Sequence, residues 1–246
     1  MKSSYKRIGD YIQRIECRNK DLKVTRLLGL SMTKEFRETT SNIVGTDMSV
    51  YRVMNKSQFA CDFMSPIRVN KLPVVLKLDD DPNLVSPAYP VFEIKDKNKL
   101  DPEYLMMWFR RSEFDRYATF KCDAAIRGGY DWEELCETLI PVPHIDKQRK
   151  IVKEYNTIQS RINLNQQMIQ KLEETAQTIY KQWFGGGVDK ENLPEGWRVE
   201  KLKNICLKIG SGATPSGGKG GYSDSGISLI RSMNIYDMNF SLEDLA

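Results

Sequence analysis

The sequence predicts an α/β (α+β) fold, in which a mixed domain is followed by a long coiled-coil-type helix and by the start of a second, incomplete domain. Three observations predict this order. Short β-rich runs separated by turn signals fill the first part of the chain. Apolar residues then recur at a helical spacing up to residue 184. A glycine triplet and new turn-rich sequence end that pattern. We therefore divide the chain into residues 1–145, 146–184 and 185–246.

Strands and one helix are predicted in the first part. The strand candidates are residues 50–54, 72–78 and 89–94, and the acidic stretch 79–83 is a turn between two of them. A helix is predicted to start after Asp101, because proline is favoured at the first helical position and acidic residues are favoured in the first turn.

The second part carries the clearest periodic signal in the chain. Its apolar residues alternate in steps of four and three, a period of about 3.5 residues that is typical of a coiled-coil seam. Asn165 is the polar member of the seam, and a single seam asparagine typically fixes register or partner choice. Asp146 is the predicted N-cap. The seam residues are Ile151, Tyr155, Ile158, Ile162, Asn165, Ile169, Leu172, Ala176, Ile179 and Trp183.

The alternative is a long helix that lies on its own domain. A helix over residues 146–184 would be roughly 58 Å long. A domain of about 140 residues has a radius of gyration of about 14 Å. The helix would therefore extend beyond the domain, and we favour an interface with another helix.

The third part starts with turn-rich sequence at residues 193–197. Residues 201–206 are similar to residues 7–12, which indicates an internal repeat with the long helix between the two copies.

Composition narrows the possible functions. The chain has 246 residues, of which 40% are hydrophobic and 28% are charged, with a net charge of +4. This allows a sizeable core and an anionic partner. No apolar run approaches the ~20 residues that cross a bilayer, and no signal-peptide pattern follows Met1.

The cysteine and histidine content also narrows the possible functions. Five scattered cysteines without a C-x-x-C motif fit a reducing compartment. The one histidine, His144, leaves little room for a histidine-based metal site or triad. We expect a cytoplasmic protein that does not contact a membrane, with no metal site and no catalytic residue of its own.

Several motifs follow one another along the chain. They lie at residues 47–53, 85–92 and 100–105, then at 140–143 and 148–152, and then at 193–197 and 210–215. In this order and spacing they resemble the specificity (S) subunits of type I restriction–modification systems. The first three are similar to parts of the family's target-recognition domain, the next two resemble the junction with its long helix, and the last two resemble the opening of a second recognition domain.

The resemblance implies a non-catalytic reader of double-stranded DNA. In the family, each recognition domain reads one half of a split target, and the helices act as spacers that dock the methyltransferase (M) subunits. S-adenosylmethionine is used by the M subunits, and ATP with Mg²⁺ by the restriction/translocase (R) subunit, so no cofactor is expected in this chain.

The family pattern is domain, helix, domain, helix, whereas here the second domain is cut short at Ala246 and a second helix is missing. We expect the chain to read one half-site and to pair with a second copy through residues 151–183, in an antiparallel and isologous way. A frameshifted, recombined or deliberately shortened gene is equally consistent with this pattern.

Candidate base and phosphate contacts are polar residues in predicted loops. Arginine can bind guanine in a bidentate way, and asparagine can bind adenine. The alternative for each residue is an exposed side chain that contacts water alone. The candidates are Thr33, Lys34, Arg37, Arg68, Asn70, Lys121 and Arg127.

Two other functions fit parts of the sequence. Asp80 or Asp81, followed by Glu93 and Lys95, matches the carboxylate–carboxylate–lysine pattern of a Mg²⁺-dependent nuclease. Purified chain that cleaves DNA with Mg²⁺, and stops doing so after Lys95→Ala, would identify this function. The other alternative is a purely structural coiled-coil adaptor, which predicts no salt-sensitive DNA binding.

Overall fold

The protein is described from a computed structural model, which divides the chain into two compact units, residues 1–160 and 161–246. Each unit is described by itself below. The structure describes residues 5–39, 45–124, 130–185, 189, 191–210, 230, 235–236 and 239–240.

The first unit is a mixed α/β domain, as predicted. Its strands are β1 (Tyr5–Arg7), β2 (Ile12–Ile15), β3 (Leu28–Leu30), β4 (Phe36–Glu38), β5 (Arg52–Met54), β6 (Gln58–Cys61), β7 (Val74–Leu76), β8 (Asn83–Val85), β9 (Val91–Ile94) and β10 (Leu139–Pro141). Its helices are α1 (Ser65–Val69), α2 (Pro102–Phe109), α3 (Ser112–Ala124), α4 (Trp132–Glu137) and the first part of α5 (Ile145–Tyr180).

A four-stranded antiparallel sheet with the order β2-β9-β6-β7 forms the centre of this unit. The hairpin β3–β4 and the pairs β5–β8 and β1–β10 are separate antiparallel ladders. The three predicted strands are confirmed as β5, β7 and β9, each shorter than its apolar run. In the β1–β10 pair, the first strand of the chain lies beside the last strand before α5.

Aromatic residues fill the core between the sheet and the helices. The rings of Phe59 in β6 and Phe92 in β9 stack 5.0 Å apart, and Phe109 of α2 meets both edge-on. α2 begins as predicted, because the Asp101 carboxylate accepts hydrogen bonds from the backbone N–H groups of Glu103 and Tyr104. These contacts fix α2 against the sheet.

One glycine allows a close approach between two elements. A Cβ atom at Gly9, in the turn after β1, would lie 2.7 Å from the Cβ of Cys136 in α4, closer than two carbon atoms can pack. Only glycine fits this position unless α4 moves.

The long helix is confirmed as one continuous helix, with a correction at its start. α5 begins at Ile145, where the carbonyl of His144 accepts hydrogen bonds from the N–H groups of Lys147 and Gln148. Asp146 therefore lies in the first turn, and the prediction that it is the N-cap was wrong. A π-helical turn over Lys181–Gly185 continues directly from α5 at its end.

The second unit contains the rest of α5, the π-helical turn, a short helix α6 (Leu202–Ile205) and the antiparallel strands β11 (Ile235–Tyr236) and β12 (Asn239–Phe240). α6 follows an extended Lys201 and closes with a hydrogen bond from the Cys206 N–H to the Leu202 carbonyl. In the first unit, the turn at Ile8–Asp10 also follows an extended residue, Arg7, and closes from Tyr11 to Ile8. The first of these turns is α-helical and the second is 3-10 helical, so the internal repeat stays a prediction.

Candidate nucleic-acid interface

Asp115 in α3 joins three segments of the first unit. One of its oxygens, Oδ1, accepts a hydrogen bond from the Lys34 ammonium at 2.8 Å and another from the Leu72 backbone N–H at 3.0 Å. Lys34 lies in the turn between β3 and β4, and Leu72 follows α1. The tip of the hairpin, the end of α1 and the start of α3 are therefore held together by a single carboxylate.

Lys34 does not have the role that its sequence position predicts. Its side chain is 5% exposed, and its ammonium donates to the Phe109 carbonyl as well as to Asp115. Burial lowers the pKa of Lys34, and the bond with Asp115 acts in the opposite direction. This corrects the prediction, because a buried ammonium that two internal acceptors hold is not available to DNA.

Three other predicted contacts lie on the surface around this junction. Thr33, beside Lys34, and Arg68 and Asn70, at the end of α1, are exposed. Asn70 also closes α1 in a left-handed conformation with φ of 54°, and its N–H donates to the Pro66 carbonyl. The backbone that carries the Asn70 side chain therefore has a defined conformation.

Arg37 is exposed on β4 and is held by a hydrogen bond from its Nε to the Leu30 carbonyl at 3.2 Å. Burial raises the pKa of Tyr89, nearby Asp62 raises it further, and Arg37 lowers it. Asp62 in turn accepts hydrogen bonds from the Met64 N–H and the Ser65 hydroxyl at the start of α1. Arg37 and Asp62, which precedes α1, therefore both lie close enough to Tyr89 to affect its pKa.

Lys121 is partly engaged within the protein. Its ammonium lies 2.9 Å from the Glu134 carboxylate, and this bond is the main cause of its raised pKa. The structure brings Lys121 onto α3 with Asp115, but its charge already has a partner. Arg127 lies outside the described residues.

The predicted seam of α5 is exposed along most of its length. Ile151 and Tyr155 are half-buried, and the eight seam residues from Ile158 to Trp183 are exposed. Their exposed fractions include 61% at Ile158 and 63% at Leu172. Isolated apolar residues on a surface need no explanation, whereas a continuous exposed stripe of this kind marks an interaction surface.

The sequence argument missed Gln148, which fixes α5 to the first unit. Its side chain is completely buried, its Oε1 accepts from the Asp101 N–H at 2.9 Å, and its Nε2 donates to the carbonyls of Lys99 and Pro143. Gln148 lies one heptad before Tyr155, so a polar residue at a seam position was the available signal.

Among the residues of the nuclease alternative, Asp81 is exposed and the other three have separate partners. Asp80 pairs with Lys56 at 3.0 Å, Glu93 accepts from Gln13 and Gln58, and the Lys95 ammonium donates to the Gly9 carbonyl. Among the described residues, no group of three or more His, Cys, Asp or Glu side chains could hold a metal ion. Nothing in this arrangement supports the nuclease.

Within the described parts of the chain, no helix combines the length and the apolar character needed to span a bilayer.

Comparison with known proteins identifies one curated relative. Over 148 residues the chain is 28% identical to the specificity subunit of the type I restriction enzyme HindI of Haemophilus influenzae. The match covers 56% of this chain and 31% of the relative, so it spans about a third of that protein. No family model matches the chain.

Two solved structures are also similar. A chain from a structure of the complex assembly and conformational transition of a type I R-M system has a TM-score of 0.43 and 11% identity, and the match covers 73% of this chain and 44% of that one. The HsdS subunit from Thermoanaerobacter tengcongensis has a TM-score of 0.41 and 12% identity, over 68% of this chain and 40% of that one. At these values the two structural matches carry no argument about function.

The resemblance predicted from the sequence is confirmed: over 148 residues the chain is similar to a curated specificity subunit of a type I restriction enzyme.

Proposed function

We propose that this chain is a non-catalytic DNA-recognition subunit of a type I restriction–modification complex. In this proposal its first domain reads a half-site in double-stranded DNA and α5 docks the M subunits. The observation that carries the proposal is the match to the HindI specificity subunit over 148 residues. The exposed seam of α5 supports the docking role, because uncovered apolar helix faces are covered in assemblies.

Recognition by the first domain would combine two kinds of contact. Lysine and arginine side chains near phosphates position a protein on DNA without reading its sequence, and contacts to base edges select it. The exposed residues near Asp115 and Tyr89 are the candidates for these contacts. They are Thr33, Arg37, Arg68 and Asn70.

The chemistry of modification and cleavage would belong to other subunits. We infer that S-adenosylmethionine is bound by the M subunits, and that ATP and Mg²⁺ are bound by the R subunit. This chain would supply target choice and assembly.

A second copy of the chain is the other partner that we propose for the α5 seam. Antiparallel pairing about the midpoint of the seam uses all ten seam residues and places Ile158 opposite Ala176 and Tyr155 opposite Ile179. Parallel pairing would place Tyr155 on Tyr155, Trp183 on Trp183 and Ala176 on Ala176, which mixes crowded layers with an underfilled one. Antiparallel two-fold pairing predicts a DNA target that is an interrupted palindrome.

The proposal is tested by co-purification with the M subunit encoded in the same genome, followed by mapping of the methylated adenines. We expect a stable complex that methylates one defined sequence in the presence of S-adenosylmethionine. The M subunit without this chain is the control and should leave that sequence unmethylated. A complex that methylates the same adenines with or without this chain would contradict the proposed function.

Alanine at Arg37 or Arg68 tests the recognition surface. We expect either change to weaken binding to the cognate DNA by about 1–3 kcal/mol and to relax the preference at one base position. Affinity for cognate and scrambled duplexes, measured by fluorescence anisotropy at several salt concentrations, separates the two kinds of contact. An equal loss on both duplexes would assign the residue to a phosphate contact, and no loss on either would remove it from the interface.

A further inference from the structure

A cleft opens beside the foot of α5 in the first unit. It has a volume of about 280 Å³ and lies between the β3–β4 hairpin, the end of β7, α2 and the first turns of α5. Its lining combines apolar side chains with an arginine and three carboxylates. The residues that matter here are Phe36, Met106, Met107, Arg110 and Tyr155.

The cleft is continuous with the seam of α5. Val152 and Tyr155 line the cleft, and Tyr155 is also a seam residue. The Arg110 guanidinium donates to the Tyr155 hydroxyl at 3.4 Å, which places a cation at the point where the seam meets the cleft. A helix lying on the seam would therefore have its end beside this opening.

The other end of the seam carries exposed aromatic residues. The indole of Trp183 is 56% exposed and stacks against Trp197 at 6.2 Å, and Phe184 lies 4.9 Å from Tyr180. Trp183 is the last seam residue and the largest. A tryptophan side chain is larger than the isoleucine and leucine knobs that usually fill such a hole, so we expect its ring to reach past the edge of the facing helix.

The antiparallel register brings these two features together. It places Trp183 opposite Ile151 of a second copy, in the hole bounded by Val152 and Tyr155 of that copy. These two residues also line the cleft. The part of the indole that extends past the helix would then enter the cleft.

We propose that the cleft is the docking site for Trp183 of a second copy of this chain. This inference rests on the proposed function, because it deepens the antiparallel pairing given there. The thioethers of Met106 and Met107 suit an aromatic ring, and the Arg110 guanidinium suits its π face. The carboxylates of Asp79 and Glu103 also line the cleft, and each has acceptor positions beyond its bond to Lys77 or Asn156 that can take the indole N–H. Two-fold symmetry fills two such clefts in each dimer.

A disulfide cross-link tests the contact in the full chain. The exposed Cys17 and Cys206 are first replaced by serine, and Met107→Cys and Trp183→Cys are introduced into two separately tagged chains. After mixing and mild oxidation, we expect a disulfide-linked heterodimer, since the paired Cα atoms must lie within about 7 Å. The matched control pairs Met107→Cys with Lys181→Cys, on the opposite face of the helix, and should form no cross-link.

Dimer affinity provides an independent measurement. We expect Trp183→Ala to raise the dimer dissociation constant about tenfold or more in sedimentation equilibrium. Phe120→Ala removes an aromatic residue of similar exposure from α3 and should leave the constant within about twofold of the parent.

The outcomes separate this inference from the proposed function. A complex with the M subunit that methylates a defined sequence, together with no Met107–Trp183 cross-link and an unchanged dimer in Trp183→Ala, overturns the docking site and leaves the function standing. Cross-linking of the Lys181 control to the same extent also overturns it. Formation of the expected cross-link together with a weakened Trp183→Ala dimer establishes it.

Discussion

Replacing Asp115 by alanine is expected to destabilise the first unit by about 3–5 kcal/mol. The change leaves the Lys34 ammonium buried without its carboxylate and the Leu72 N–H without its acceptor. A buried charge that loses its partner costs far more than the pair contributes while intact. The free energy of unfolding, measured by urea denaturation with tryptophan fluorescence, tests this expectation.

Two variants control for the nature of the loss. Asp115→Asn keeps an oxygen acceptor for Leu72 and removes the charge, so its loss should lie between that of Asp115→Ala and zero. Asp80→Ala removes an exposed carboxylate that pairs with Lys56 on the surface and should change the free energy by no more than about 0.5 kcal/mol. A loss of less than about 1 kcal/mol for Asp115→Ala would show that Lys34 is not held as described.

Gln148→Leu is the second change with a large expected effect. It keeps the size of the side chain but leaves one backbone N–H and two carbonyls without partners, at Asp101, Lys99 and Pro143. Each unpaired buried group costs about 1–3 kcal/mol, so we expect a loss of about 3 kcal/mol or more. The free energy of unfolding and the hydrogen exchange of the amides in residues 145–156 measure it.

The matched control is Gln167→Leu, at an exposed position of the same helix, which should change the free energy by no more than about 0.5 kcal/mol. Gln148→Glu retains an acceptor for Asp101 but faces two carbonyls without a donor, and should also destabilise the unit. If Gln148→Leu is as stable as the parent chain, the three hydrogen bonds do not hold the foot of α5.

Local pattern was sufficient for five elements of the fold, namely three strands, α2 and the long helix. The strands at β5, β7 and β9 and the capped start of α2 follow from alternation, turn residues and the Asp101-Pro102 pair, all of which act within a few residues. The continuous helix follows from a period that many residues repeat. The predicted N-cap of α5, Asp146, was wrong. The His144 carbonyl accepts the first hydrogen bonds of the helix, so the helix starts before Asp146 and that residue lies in the first turn.

Distant contacts were not accessible to the same reasoning. Lys34 looked like a surface cation, but its acceptors are 75 and 81 residues away in sequence, and its backbone has a left-handed φ of 64°. Gln148 lies at a seam spacing, but two of its three partners lie 47 and 49 residues before it, and that spacing does not identify them. Such pairs are set by tertiary packing, which a single sequence does not encode in any local pattern.

The pairing of β1 with β10 has a consequence for how such domains can be rearranged. Tyr5 lies opposite Pro141 and Arg7 lies opposite Leu139, so the two ends of the domain leave it side by side. A folded module whose ends are adjacent can be excised, inserted between other segments or circularly permuted with little change to its interior. Under the proposed function, exchange of this module between genes would replace one DNA-reading surface with another while preserving the connections on either side.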